Sequence, residues 1–139
     1  MILLDTNVIF EPLRRAPDHR VVAWIDAQPL ETLHLSAISV AELRAGIALL
    51  ADGKRRAALH ERLETLVLPM FVGRIPAFDV ACTGAHADVQ ARSRLAGSPI
   101  ATADACIAAI ALANGFLVAT RDVGPFRAAG LRVINPWED

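Results

Sequence analysis

Four acidic residues of this chain occupy positions at which their carboxylates could act together. Two of them follow strand-like apolar runs, at residues 2–4 and 116–119, and two lie in the first turns of segments with helical patterns. Carboxylates that meet in one place repel one another, so they either shift in pKa or bind a cation between them. The four residues are Asp5, Glu42, Asp104 and Asp122.

Each acid also has a local structural explanation. Asp5 in "LLDTN" can cap the helix that follows it. Ser39-x-x-Glu42 matches a capping box, in which the glutamate bonds back to the start of its helix. Asp104 can complement a helix dipole, and Asp122 can open a turn before Gly124-Pro125. The choice between structure and function therefore depends on whether the fold brings the four together.

The elements that must position these acids alternate between strands and helices. Helical spacing of apolar residues, and helix-ending signals such as Asn114-Gly115, mark segments near 39–50, 59–70, 79–96 and 102–113. This alternation predicts an α/β fold with a central, mostly parallel sheet of about five strands. The expected strands are Ile2–Leu4, Leu33–Leu35, Ile75–Phe78, Phe116–Ala119 and Leu131–Ile134.

A parallel sheet supplies the geometry that joins the acids. Its right-handed crossovers gather the carboxyl ends of strands and the amino ends of helices along one edge, where ligand sites lie. All four acids are expected at that edge. Because their mutual repulsion favours a bound cation, and because oxygen donors without cysteine or histidine suit Mg²⁺ or Mn²⁺ better than zinc, we predict a magnesium or manganese site. Such a site can support phosphodiester cleavage.

Length and composition indicate the number of domains, the relation to membranes and the overall attraction to nucleic acid. A chain of 139 residues is expected to form a single domain over residues 1–139. Its longest tempting uncharged stretch, 105–120, is too short and interrupted to span a bilayer, and "MILLD" has no basic region before an apolar run. These features predict a cytoplasmic protein without a membrane association. The net charge of −1 gives no global attraction to nucleic acid, so a polyanion would have to be held by a local patch.

Cysteine and histidine suggest no other chemistry. Cys82 and Cys106 lack the spacing of a zinc site or redox motif and are expected to be reduced thiols. The four histidines are scattered through the chain without a metal-binding pattern.

Four motifs together resemble a known family. "LLDTNVI", "SAISVAELRAGI", "IATADACIAAIA" and "LVATRD" are similar to the acid-bearing segments of PIN-domain ribonucleases, in particular the VapC toxins of type II toxin–antitoxin pairs. The middle "GRIPAFD" and the closing "NPWED" look closest to the FitB-like branch. The resemblance covers nearly the whole chain and implies a three-layer α/β/α PIN-like domain.

The resemblance also implies a function and a set of roles. Asp5, Glu42, Asp104 and Asp122 would be the catalytic, metal-binding acids of a Mg²⁺- or Mn²⁺-dependent endoribonuclease, which hydrolyses RNA with metal-activated water. Expected partners are an RNA substrate, a cognate DNA-binding antitoxin, operator DNA reached only through that antitoxin, and a second copy in a homodimer. Supporting roles are implied for the neighbouring polar residues Thr6, Asn7 and Thr120.

The sequence allows two roles for each of two arginines and for one tryptophan. Arg44 and Arg121 lie near the acids in sequence, where they can contact RNA or the antitoxin, or equally pair with a nearby acid on the surface. Trp137 can stack on RNA, although packing of the chain's last residues is the simpler expectation.

Two other functions fit part of the pattern. A haloacid-dehalogenase-like phosphatase opens with Asp-x-Asp after a strand, but Asn7 replaces the second aspartate here. A non-catalytic PIN-like binding module would have no reason to keep four repelling carboxylates. Both are weaker interpretations than a nuclease.

Overall fold

A computed structural model describes residues 1–139 and has a four-stranded parallel sheet at its centre. The strand order is β2-β1-β3-β4, so β1 lies between two neighbours. Ile2 of β1 is opposite Leu33 on one side and Leu117 on the other. The strands are β1 (Ile2–Leu4), β2 (Leu33–Leu35), β3 (Leu117–Ala119) and β4 (Val133–Ile134).

The predicted fifth strand at Ile75–Phe78 is absent. The chain runs beside β2 there, and the N–H groups of Leu35 and Ala37 donate to the carbonyls of Arg74 and Pro76 at 3.1 and 3.0 Å. Pro76 has no N–H to donate in return, so no regular ladder forms. The estimate of about five strands was wrong by one because a proline at a sheet edge turned a strand into an extended segment.

Seven α-helices pack on the two faces of the sheet. α6 contains Asp104 in its first turn and ends at Gly115, whose φ of 70° is the left-handed conformation expected from Asn114-Gly115. None of the helices has the length and apolar character that a membrane span needs. The helices are α1 (Thr6–Phe10), α2 (His19–Ala27), α3 (Ala37–Ala48), α4 (Lys54–Arg62), α5 (Ala81–Leu95), α6 (Thr102–Asn114) and α7 (Val123–Ala128).

The three-layer arrangement follows from the way β1 is buried. Ile2 and Leu4 belong to a core formed with α1 to α4, whereas Leu3 belongs to a second core formed with α5, α6 and α7. Successive strand residues point to opposite faces, so an apolar run is required when both faces are covered. The predicted α/β/α class is therefore confirmed. Cys82 lies in the second core, and both cysteines are free thiols.

Candidate active site

Asp5 sits where β1 ends and α1 begins. It caps α1 through a hydrogen bond of 2.8 Å from the Thr6 N–H to Oδ1. Its other oxygen, Oδ2, accepts from the Thr120 hydroxyl at 2.7 Å and from the Asn7 amide at 3.3 Å. The side chain does more than cap a helix, because a residue 115 positions away in sequence also binds it.

Burial governs the ionisation of Asp5. The residue is only 4% exposed, and this loss of solvent raises the pKa of its carboxyl. The Thr120 hydroxyl and the Thr6 N–H oppose the increase because they stabilise the charged form, whereas the negative charges of Glu42 and Asp122 add to it. A cation placed beside Asp5 would remove much of this electrostatic cost.

Glu42 is positioned differently from the capping box that its sequence suggested. Helix α3 begins at Ser36, whose Oγ accepts from the Ser39 N–H at 3.0 Å. Counting from Ala37, Glu42 is the sixth helical residue, in the second turn and exposed. The prediction of a first-turn capping glutamate was wrong, because the helix starts three residues earlier than that prediction assumed.

Glu42 instead accepts a hydrogen bond across the site. The Thr6 hydroxyl lies 2.7 Å from Glu42 Oε1 and 3.0 Å from the Ser39 Oγ, which is itself 3.2 Å from the Ser36 Oγ. Ser36 and Ser39 are fully buried. This row of hydroxyls joins the start of α1 to α3 and leaves the Glu42 carboxylate facing solvent.

Thr120 ties the loop after β3 to the end of β1. Besides donating to Asp5, its fully buried hydroxyl oxygen accepts from the Asp122 N–H at 3.0 Å. The side-chain Nδ2 of Asn7 lies 3.5 Å from the same oxygen, and the side-chain Oδ1 of Asn7 accepts from the Arg121 N–H at 3.4 Å. These contacts fix the backbone that presents Asp122, whose side chain is exposed.

Asp104 is the second acid of the site whose pKa is raised. It is half-buried, and its pKa is raised from 3.8 to about 6, first by burial and then by the charges of Asp5, Glu42 and Asp122. Repulsion between carboxylates weakens with distance and is screened by water and salt, so it is felt only between groups that lie close together. The four acids are therefore close enough to interact, as the edge geometry of a parallel sheet requires.

All four acids line one cavity of about 470 Å³. The rest of its wall is largely apolar, with a single cation from Arg55. Sequence reasoning missed Arg55, as well as Phe10 and Ser36. A pattern of Ser36-x-x-Ser39 before a helix could have indicated the cap. The remaining lining residues are Thr6, Asn7, Phe10, Leu43, Gly46, Ile47, Leu50 and Leu59.

The donor chemistry of this cavity suits a hydrated hard cation. No three His, Cys, Asp or Glu side chains are arranged so that they hold a metal ion together. Mg²⁺ keeps several of its waters and is commonly bound through only one or two carboxylates and substrate phosphates. The available oxygens, four carboxylates with adjacent hydroxyl and amide groups, fit that coordination. They do not fit a closed zinc site.

The two arginines that we considered as ligand contacts have different partners. Arg44 forms a two-pronged ion pair with Glu64, at 2.8 and 3.0 Å, so its guanidinium is already engaged on the surface. Arg121 forms no ion pair, and the central carbon of its guanidinium lies 4.4 Å from the centre of the Trp137 ring. Trp137 is buried, as expected for packing of the chain's last residues.

The fold and the gathered acids define a PIN domain. The PIN domain family model matches residues 2–131, and the chain belongs to that family. Three relatives are similar over essentially their whole length. The chain is 67% identical to Plasmid stability protein StbB of Pseudomonas syringae pv. tomato and 55% identical to VapC ribonuclease Y4jK of Sinorhizobium fredii, in each case over 99% of both chains. It is 54% identical to Toxin FitB of Neisseria gonorrhoeae over 100% of both chains.

Solved structures agree with this assignment. The chain matches a chain of FitAcB from Neisseria gonorrhoeae with a TM-score of 0.96 and 53% identity over 100% of both chains. A chain of FitAB bound to the IR36 DNA fragment gives a TM-score of 0.95 and 52% identity, covering 99% of this chain and 96% of that one. The resemblance that the four motifs indicated is confirmed.

Proposed function

We propose that this protein is the toxin of a toxin–antitoxin pair and acts as a Mg²⁺- or Mn²⁺-dependent endoribonuclease, with residues 1–139 forming one PIN-like domain. The observation that carries the proposal is the gathering of four carboxylates in one cavity, where burial and then the charges of the other three acids raise the pKa of Asp104 to about 6. Relatives at 55% and 54% identity bear the names VapC ribonuclease and Toxin FitB.

Asp5, Glu42, Asp104 and Asp122 are proposed to hold the cation. Bound there, Mg²⁺ or Mn²⁺ would offset the charge of a scissile phosphate and lower the pKa of a water molecule. The acids face the cavity with different exposure, from the buried Asp5 to the exposed Glu42 and Asp122. This difference in exposure suits a cation that is held on its buried side by the protein and is accessible to substrate on its exposed side.

Three polar residues are proposed to keep these acids in position. The Thr120 hydroxyl and the Thr6 N–H stabilise the charged form of Asp5 against the effect of burial, because both donate to its carboxylate. The Thr6 hydroxyl orients Glu42, and the Asn7 side chain bridges Asp5 and the backbone of Arg121. None of them needs to exchange a proton with the substrate.

The proposed partners follow from the same relatives. A cognate antitoxin is proposed because the chain is similar along its whole length to a chain of FitAcB and to one of FitAB. The latter complex is bound to a DNA fragment, so contact with operator DNA is proposed to occur through the antitoxin. A homodimer is also proposed.

The experiment that tests the activity is cleavage of a labelled structured RNA by purified protein. Reactions with Mg²⁺, with Mn²⁺ and with EDTA are compared with those of an Asp104→Asn variant purified in the same way. Cleavage should require the cation and be lost in the variant. Equal cleavage by the variant would assign the activity to a contaminating ribonuclease. No cleavage by either protein, together with no Mg²⁺ binding, would favour a binding-only module.

A further inference from the structure

A cation in the loop that presents Asp122 has no acidic partner. The Arg121 side chain is exposed and forms no ion pair. Asp18 is near enough for the Arg121 charge to contribute to its lowered pKa, but the Asp18 carboxylate is occupied by Arg20 through bonds of 3.2 and 2.9 Å. Arg121 therefore keeps a guanidinium edge free for an anion.

The backbone of Arg121 is fixed to the proposed cation site. Its N–H donates to the side-chain Oδ1 of Asn7 at 3.4 Å, and Nδ2 of the same side chain donates to Asp5 at 3.3 Å. Arg121 also directly precedes Asp122 in the chain. The Arg121 backbone therefore lies next to the acids, and its side chain extends from there over the Trp137 ring.

Trp137 supports the side chain of Arg121. The guanidinium carbon lies 4.4 Å from the centre of the indole ring, within the range of a cation–π contact. The ring is 5% exposed, and its backbone is held in a turn by the Asn135 side chain, which accepts from the Trp137 N–H at 3.0 Å. The indole face is a rigid support for a flat cation.

The indole N–H of Trp137 makes no hydrogen bond within the protein. Its Nε1 atom is nevertheless buried. A buried donor without a partner carries a desolvation cost that a phenylalanine at this position would avoid. Tryptophan provides the strongest cation–π face of the aromatic residues, and the Arg121 guanidinium lies over that face.

We propose that Trp137 is a positioning residue that holds the Arg121 guanidinium flat, so that Arg121 binds a phosphate of an RNA strand that enters the acidic cavity. The inference rests on the proposed nuclease function and adds a part of the substrate path to it. Arginine suits this task because its planar guanidinium can stack on a ring and still donate from its edge to phosphate oxygens.

The test measures RNA binding with cleavage prevented. A fluorescent single-stranded RNA is titrated with the Asp104→Asn protein at several salt concentrations, and the parent is compared with proteins that additionally carry Arg121→Ala or Trp137→Leu. Loss of one phosphate contact should weaken binding roughly fivefold to tenfold, or about 1 to 1.4 kcal/mol. It should also reduce the slope of log affinity against log salt by about 0.7.

A double-mutant cycle separates positioning from general destabilisation. If Trp137 acts through Arg121, the combined variant should bind no more weakly than Arg121→Ala alone. Trp137→Phe, which keeps an aromatic face, should recover most of the affinity and is the variant to use if Trp137→Leu fails to fold. In the active protein, Trp137→Leu should raise KM while leaving kcat nearly unchanged.

The outcomes distinguish the two proposals. An unchanged salt slope in Arg121→Ala, with metal-dependent cleavage intact in the otherwise native protein, would overturn the phosphate contact and leave the nuclease proposal standing. A reduced slope in Arg121→Ala but not in folded Trp137→Leu would overturn the role of Trp137. A native protein that does not cleave RNA with Mg²⁺ or Mn²⁺, together with an Asp104→Asn parent that does not bind RNA, would overturn the nuclease proposal and this inference with it.

Discussion

Replacing Asp104 by asparagine should stabilise the metal-free protein while abolishing RNA cleavage. The carboxyl has a pKa of about 6 instead of 3.8 because it is half-buried beside three other acids. At about 1.4 kcal/mol per pKa unit, this difference is at most about 3 kcal/mol. Solvent screening of a half-exposed group reduces it to roughly 1 kcal/mol. Asparagine keeps the size of the side chain and removes its charge.

The gain should depend on pH in a defined direction. Between about pH 4 and 6 the folded protein binds more protons at Asp104 than the unfolded chain does, so its stability falls as pH rises through this window. The cost of the charge is complete above pH 6 and small below about pH 4. Asp104→Asn should therefore be more stable than the native protein at pH 8, with most of the difference lost by pH 4.

Urea unfolding in EDTA at pH 8 and at pH 4 measures the gain in stability and its dependence on pH. A gain of about 1 kcal/mol at pH 8 corresponds to an increase of about 3 to 5 °C in Tm. Asp88→Asn is the matched control, because Asp88 is exposed on α5 and forms no ion pair, and it should change stability little. A variant that is less stable than the native protein at pH 8, or equally altered at both pH values, would refute the electrostatic reasoning.

Three further predictions address the cation, the hydroxyl network and a helix end. Mg²⁺ should raise the Tm of the native protein in a thermal scan but not that of Asp5→Asn; an equal increase in both would place the cation elsewhere. Thr120→Val should lower the free energy of unfolding, measured in urea, by roughly 2 to 3 kcal/mol, because Asp5 and the Asp122 N–H each lose the Thr120 hydroxyl as a hydrogen-bond partner. Thr120→Ser keeps the hydroxyl and loses only a buried methyl group, so it should lower the free energy of unfolding by about 1 kcal/mol. Gly115→Ala should lower the free energy of unfolding, measured in urea, by about 1 kcal/mol, because a φ of 70° is unfavourable for alanine. Gly84→Ala, inside α5, should instead raise the free energy of unfolding. A change of the same sign in both variants would contradict this account.

Local sequence signals predicted the elements whose ends depend on nearby residues. The apolar run of β1 indicated a strand covered on both faces, and Ile2 and Leu3 do belong to different cores. Gly115 ended α6 as expected, since only its own φ had to change. In each case the deciding interaction lies within a few residues, so one sequence is sufficient.

Predictions failed where the nearby sequence is compatible with two different local structures. Both Ser36 and Ser39 can cap a helix, and the one used depends on where β2 ends, which its pairing with Leu4 determines. The apolar residues at helical spacing near 59–70 include Leu66 and Met70, yet these two side chains are 62% and 45% exposed. A π-helical turn at Leu63–Val67 holds more residues per turn and shifts the buried positions onward along the chain.

The sequence by itself determined the α/β class, the four acids and the edge at which parallel strands would present them. Only the tertiary structure decided the contacts that give those acids their chemistry. Thr120 reaches Asp5 across 115 positions, and Arg121 stacks on Trp137. The physical reason is that hydrogen bonds and charge interactions depend on distances of a few ångströms and on burial. Strand register and packing of the whole chain set both quantities.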